Sequence, residues 1–285
     1  MVKKLLNLHE EVTHSRLKVA CSEWGATVFV KVRTADVLPI ESSGIPAADF
    51  RFALRSHFDF VVCDAEHTPL FVVEFDGPSH DKPDQARRDI QKNSLCERFQ
   101  FPILRINARY LVRKYGTFDL LSWFVHVWFL ADGFRKAQEQ RTVPANEIFD
   151  PAFVVSVSGI RGLFPLWLSA QPLIEIQRLN KAGRCQDFCP SYFIGLDEAG
   201  TYRAIAYLGI TEDSGTFVTT AMRSQLFPFA DSEILHEILM QEVYERILRT
   251  IAGEEGPVPL CEIHRLVREY QQRYRLASAG WLGSS

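Results

Sequence analysis

The stretch Phe71 to Lys92, FVVEFDGPSHDKPDQARRDIQK, constrains the fold of this chain more than any other. An apolar run, Phe71-Val72-Val73, leads into Glu74-Phe75-Asp76 and stops at Gly77-Pro78, the pattern of a buried strand entering a turn. Side chains alternate along a strand, so Glu74 and Asp76 share one face while Phe75 points away. Two acids at the end of a core strand are costly to desolvate unless a cation sits between them. His80 follows in the turn, and Asp84 to Phe99 reads as a helix entered from Pro83. At 3.6 residues per turn Lys92 falls among Leu95, Cys96 and Phe99, on the face that packs against the sheet. Asp89 lies one turn earlier, at the edge of that face. A strand thus delivers two carboxylates, and the next helix brings a lysine and a third acid to the same side.

The rest of the chain sets wider bounds. Its 285 residues suffice for one large domain or two small ones, and 47% hydrophobic with 24% charged residues is an ordinary globular balance. No apolar stretch approaches the roughly 20 residues of a membrane span, and Leu120 to Leu130 is short and contains His126, so no membrane partner is expected. Lys3 and Lys4 are followed by Glu10 and Glu11 before any cleavable apolar segment, which reads as no signal peptide. Six cysteines without a disulfide framework suit the cytoplasm. Cys185 and Cys189 have half the spacing of a zinc site but no second pair nearby. Lys and Arg number 17 against 16 Asp and Glu in residues 1–130, and 15 against 19 beyond, so bulk charge does not announce a nucleic-acid partner. The local basic feature is the strip Arg105, Arg109, Arg113 and Lys114.

In order, the chain reads as a helix from Lys4 to Trp24 closed by Gly25, a strand Thr27–Arg33 and a loop from Pro39 to Ala48. A second strand, Phe58–Asp64, turns through 65–69 into the Phe71 strand, antiparallel to it. The Asp84 helix, a fourth strand Pro102–Asn107 and a long apolar helix Tyr110–Phe134 follow. Residues 141–151 read as a linker. Beyond it stand a hairpin of Tyr192–Asp197 and Tyr202–Ile210, a strand Thr216–Met222, an amphipathic helix from Asp231 and a helix Leu260–Tyr274. The expected division is 1–138 and 139–285, the first α/β with a mixed sheet, the second an α+β accessory domain of unassigned role.

The order helix, three strands, helix, strand resembles the PD-(D/E)XK phosphodiesterase superfamily, with its restriction-endonuclease-like core, over about residues 5–115. It is most similar to the very-short-patch-repair-like branch and related domains of unknown function. The residues that carry the resemblance are Asp59, Glu74-Phe75-Asp76-Gly77, His80, Arg88-Asp89-x-x-Lys92-Asn93 and Leu104-Arg105-Ile106. The superfamily lysine would follow Glu74 by two positions, where Asp76 stands. In some relatives it moves to the next helix, and Lys92 fits that arrangement.

The resemblance implies a metal-dependent endonuclease acting on nucleic acid, DNA ahead of RNA, in DNA processing or defence. Asp59, Glu74, the Phe75 carbonyl and Asp76 would hold Mg²⁺ or Mn²⁺, which take oxygen ligands and stabilise phosphoryl charge. Lys92 would serve the scissile phosphate or the attacking water, and His80 would carry a proton. Arg88, Arg105 and Arg109 are the candidate nucleic-acid contacts. Asp89 is divided between a place in the site and an ion pair with Arg88 or Arg105. On the first helix, Glu10 and Glu11 compete to approach the site. The alternative function is a catalytically inactive module of the same fold that binds nucleic acid or a protein. Residues 139–285 hold no catalytic constellation and are left to substrate recognition or a protein partner.

Overall fold

The structure is a computed structural model, described over residues 4–77, 83–112, 119–149, 168–227 and 230–280. It forms two compact units, Met1–Asp150 with Gln225–Pro228 and Pro151–Ser224 with Phe229–Ser285.

The first unit is α/β, built on a four-stranded mixed sheet in the order β1-β2-β3-β4. Strands β1 (Thr27–Arg33), β2 (His57–Cys63) and β3 (Pro69–Phe75) run antiparallel. The strand β4 (Ile103–Ile106) returns parallel to β3 through the helix α4 (Pro83–Arg98). A parallel return requires such a crossover, and the crossover carries Lys92 to the sheet. β2 and β3 are nearly continuous β-branched and aromatic residues because helices cover both faces. Val61, Val72 and Ile103 pack with Leu95 and Cys96 of α4 and with Ala53 of α3 (Ala47–Arg55). By alternation Phe71 faces the other way, its ring 4.8 Å from that of Trp128 on α5 (Leu120–Glu139).

Several expectations shift. The helix α1 spans Leu8–Ser22, one turn shorter at its start, because Asn7 and Glu10 form a capping box that fixes its beginning. Its buried positions are Glu10, Thr13, Leu17, Ala20 and Cys21, whereas Leu5, Leu8, Val12 and Val19 are exposed. The inward stripe therefore starts with an acid, a choice that its partner across the cleft explains below. The expected loop after β1 contains a short helix α2 (Thr34–Val37) and the start of α3. The long helix expected from Tyr110 resolves into a 3-10 turn, Ala108–Leu111, and α5, capped by Asp119 accepting from Ser122 N. The expected division at 138/139 falls inside the last turn of α5.

One strand edge of this unit is completed from far along the chain. Ile103 N donates to Leu226 O at 2.9 Å, Arg105 N donates to Gln225 Oε1 at 2.7 Å, and Phe227 sets its ring edge-on against Phe71. Residues 225–227 thus cover the outer edge of β4, which would otherwise present unpaired backbone groups.

The second unit is α+β, an antiparallel sheet ordered β8-β7-β6-β5-β9, from β5 (Ser191–Leu196), β6 (Thr201–Gly209), β7 (Ser214–Arg223), β8 (Val258–Pro259) and β9 (Arg275–Gly280). Consecutive buried residues along Ala204–Gly209 mean that both faces of β6 are covered. Ile263 and Val267 of α8 (Leu260–Arg273) pack with Phe193, Ile205 and Tyr207, and α7 (Asp231–Ile251) lies along β6 and β7. The helix α6 (Ala170–Lys181) packs on α7, joined there by Ser169 hydrogen-bonded to the buried Glu237. Cys185 and Cys189, like the other four cysteines, are free thiols. Among the described residues no helix is long and apolar enough to cross a membrane.

Candidate active site

The β2–β3 register pairs Phe60 with Val73 and Val61 with Val72, so one step further Asp59 stands opposite Glu74. The two carboxylates replace the last rung of the ladder. Asp59 N donates to Glu74 Oε1 at 3.2 Å, and Phe75 N donates to Asp59 Oδ2 at 3.0 Å. Each acid is thereby held by backbone at the strand end.

Lys92 reaches this pair from α4. Its Nζ lies 2.6 Å from Glu74 Oε2 and donates to His57 O at 2.9 Å, with only 10% of the side chain exposed. α4 delivers it because Asp89, Lys92, Leu95 and Cys96 form one inward stripe. Burial pushes the Glu74 carboxyl above its ordinary range; the Lys92 ammonium opposes that shift and the neighbouring Asp59 charge adds to it.

A second lysine enters from β1. Lys31 Nζ bridges Asp59 Oδ1 at 2.6 Å and Glu10 Oε1 at 2.7 Å. The other Glu10 oxygen accepts from Asn7 N at 2.8 Å, so the capping box of α1 aims Glu10 at the lysine. This explains the acid on the inward stripe of α1. Burial disfavours the Lys31 ammonium, but bonds to Asp59 and Glu10 outweigh it and raise its pKa. Glu11 instead points outward to the exposed Lys4.

Asp76 and Asp89 gather on a third cation, Arg105. Asp76 Oδ1 accepts from Arg105 Nη1 at 2.9 Å, Asp89 Oδ1 lies 3.4 Å from the same nitrogen, and Arg105 Nε donates to Asn93 Oδ1 at 2.9 Å. Arg105 is buried. Burial disfavours its charge, but Asp76, Glu74 and Asp89 outweigh that and raise its pKa further. Arg105 is committed to acids inside the fold, and Asp76 is held by its guanidinium.

A cleft of about 830 Å³ opens over the Asp59–Glu74 pair. Its lining includes Glu10, Lys31, Asp59, Glu74, Phe75, Asp89 and Lys92, with His9, Arg55, His57 and Arg88 among the polar groups around them. His9 stacks on Phe75 at 5.3 Å between ring centroids. Arg88 lines the cleft. Arg109 does not line it and is set over the Tyr110 ring. His80, Arg113 and Lys114 lie outside the described residues.

Among the described residues no three His, Cys, Asp or Glu side chains form a ready metal cage. The donor chemistry nonetheless fits one class of ion. Mg²⁺ binds through one or two carboxylates, waters and substrate oxygens rather than through a full protein cage. Asp59 and Glu74 supply such a pair. Around the pair, Glu10, Asp59 and Glu74 face Lys31 and Lys92, three acids against two cations.

Sequence reasoning named Glu10 only as a competitor of Glu11 and missed Lys31, Arg55 and His57. Asn7-x-x-Glu10 is a capping-box signature, and alternation along β1 put Lys31 on the polar face. Their convergence needed the β1–β2 register, in which Val30 pairs with Phe60 and Val32 with Phe58, bracketing Lys31 against Asp59.

Residues 2–115 match a family described as a protein of unknown function, DUF2726. That span holds every residue of the cleft. No curated protein and no solved structure matches this chain.

Proposed function

We propose that the cleft is the active site of a divalent-metal-dependent nuclease of the PD-(D/E)XK superfamily, with a restriction-endonuclease-like core, hydrolysing phosphodiester bonds of nucleic acid, DNA ahead of RNA, in the cytoplasm. The observation that carries the reading is the meeting of Lys92 with Glu74 at 2.6 Å, beside Asp59 across the strand pair. Acid, acid and lysine converge there from three separate elements.

In this reading Asp59 and Glu74, with the Phe75 carbonyl, hold Mg²⁺ or Mn²⁺. When bound, the ion polarises the phosphoryl group and favours deprotonation of water. Lys92 lies on the Glu74 side of the pair, where its ammonium meets the phosphate oxygens and shields charge that builds on them. Arg55 and Arg88 among the cleft's lining residues supply the positive charge that a phosphate backbone requires. Arg105 holds Asp76 and Asp89 and so fixes the end of β3 against α4. The C-terminal unit, without a catalytic cluster among its described residues, is assigned to substrate or protein contact.

One observation favours a second reading. Asp59 and Glu74 each already carry an ammonium partner, so the fold needs no metal to neutralise its acids. A module that binds nucleic acid without cutting it would look the same. Purified full chain, incubated with supercoiled plasmid and single-stranded DNA in Mg²⁺ or Mn²⁺, separates the two. Metal-dependent cleavage lost in Glu74→Gln and Asp59→Asn supports the nuclease; equal cleavage by wild type and Glu74→Gln rules this site out. DNA binding without cleavage selects the second reading.

A further inference from the structure

We propose that Lys31 is a resident counter-ion of the metal-free site, which an incoming divalent cation displaces from Asp59 and which then binds the substrate phosphate. The inference rests on the nuclease reading above and assigns a positioning role that the superfamily pattern does not include.

The charges along the cleft floor run Glu10, Lys31, Asp59, Glu74, Lys92: negative, positive, negative, negative, positive. The alternation fails at one place, between Asp59 and Glu74, and a cation belongs there. Each oxygen of that pair already has a partner. Glu74 Oε1 and Asp59 Oδ2 are held by backbone N–H groups, which cannot leave without opening the strand pair. Glu74 Oε2 is held by Lys92, whose side chain is 10% exposed, and Asp59 Oδ1 by Lys31, whose side chain is 32% exposed. Lys31 is therefore the partner that yields.

The backbone agrees with a special role. Lys31 has φ +53°, a left-handed conformation that residues with a Cβ disfavour, in the middle of a strand whose register is unbroken on either side. The register around it, Val30 with Phe60 and Val32 with Phe58, sets Lys31 opposite Asp59. Once released, the ammonium stays tethered at the mouth of the cleft, still beside Glu10, where the next strong anion to arrive is a phosphate. Metal binding and substrate binding are then coupled through one side chain.

The test uses the full-length chain and three proteins: wild type, Lys31→Met and Lys31→Gly. Glycine accepts φ +53° without strain, so the second variant folds even where the first does not. In Mn²⁺ titration calorimetry without nucleic acid, both variants should bind roughly tenfold tighter than wild type, since no ammonium competes for Asp59. For a DNA duplex in Ca²⁺, the slope of log affinity against log salt should fall by about one phosphate contact. A lysine with a purely structural role would move neither reading in this direction. Glu74-dependent Mn²⁺ binding by wild type, unchanged or weakened in Lys31→Gly, overturns the role of Lys31 alone. Wild type without Glu74-dependent Mn²⁺ binding overturns the nuclease reading, and this inference with it.

Discussion

Lys92 and Glu74, 18 positions apart and on different elements, meet at 2.6 Å with both side chains almost wholly out of solvent. A buried ion pair of this kind is weak evidence for stability as a whole, yet breaking it on one side leaves an uncompensated charge. The position two residues after Glu74, which the resemblance reserves for lysine, is held by Asp76 on Arg105. The helix α4 supplies the cation from the other direction.

Lys92→Ala should lower the unfolding free energy by about 3 kcal/mol, the cost of stranding a buried acid. If the nuclease reading holds, it should also remove most cleavage while sparing Mn²⁺ binding, because the lysine serves phosphate rather than ion. Lys92→Arg should cleave poorly too, since a planar fork does not reproduce a compact ammonium. Urea denaturation, calorimetry and plasmid nicking on the same preparations check all three; wild-type stability and cleavage in Lys92→Ala would contradict the assignment.

Glu74 should make the metal-free protein less stable as pH rises. Its folded-state pKa is raised above the ordinary 4.5, so its contribution is present in acid and is lost as pH climbs through the folded value. The difference in denaturation midpoint between wild type and Glu74→Gln isolates this from other groups. Wild type should lose ground to the variant as pH increases above about 4.5, and a difference that does not vary with pH contradicts it.

Arg105→Met should cost about 3 kcal/mol or more, because two acids lose the guanidinium between them. Asp76→Asn should weaken the fold while changing Mn²⁺ affinity little, the opposite of what a metal ligand does. Melting curves read the first effect, titration calorimetry the second. Loss of Mn²⁺ binding in Asp76→Asn would return Asp76 to the metal site.

His126, buried on α5, accepts from Trp24 Nε1 at 2.9 Å through Nδ1, so its proton sits on Nε2. Burial lowers its pKa to about 4. A depressed folded value contributes stability that is full above 6.5 and is lost as pH falls toward 4, up to about 3 kcal/mol. His126→Asn should lose stability at pH 7 and show a flatter acid limb than wild type. An acid limb as steep as that of wild type would contradict it.

Much of the first sheet was legible because its strands are apolar runs bounded by turns. Thr27–Arg33 matches β1 in full, and β2, β3 and β4 lie within two residues of their expected ends. The inward face of α4 followed from periodicity alone. The misses have physical causes. α3 has only nine residues and follows the break at Ser42-Ser43-Gly44 and Pro46, so the loop signals outweigh its short apolar side, and α6 carries Pro172, which reads as a break but is tolerated in a first turn. β9 is an edge strand of small residues with no strand signal of its own. Lys31 looked like the solvent face of β1, because its meaning lies in two partners, 21 and 28 positions away.

The cover on the outer edge of β4 gives the first unit a history as well as a shape. Gln225 stands 120 positions after the Arg105 backbone it pairs with. During synthesis, then, the sheet that holds Asp59 and Glu74 is made long before its last edge partner leaves the ribosome. In that interval β4 presents an open edge to any neighbouring chain. A nascent chain stalled short of residue 225 carries every side chain of the cleft, but not the segment that closes the sheet on which they stand.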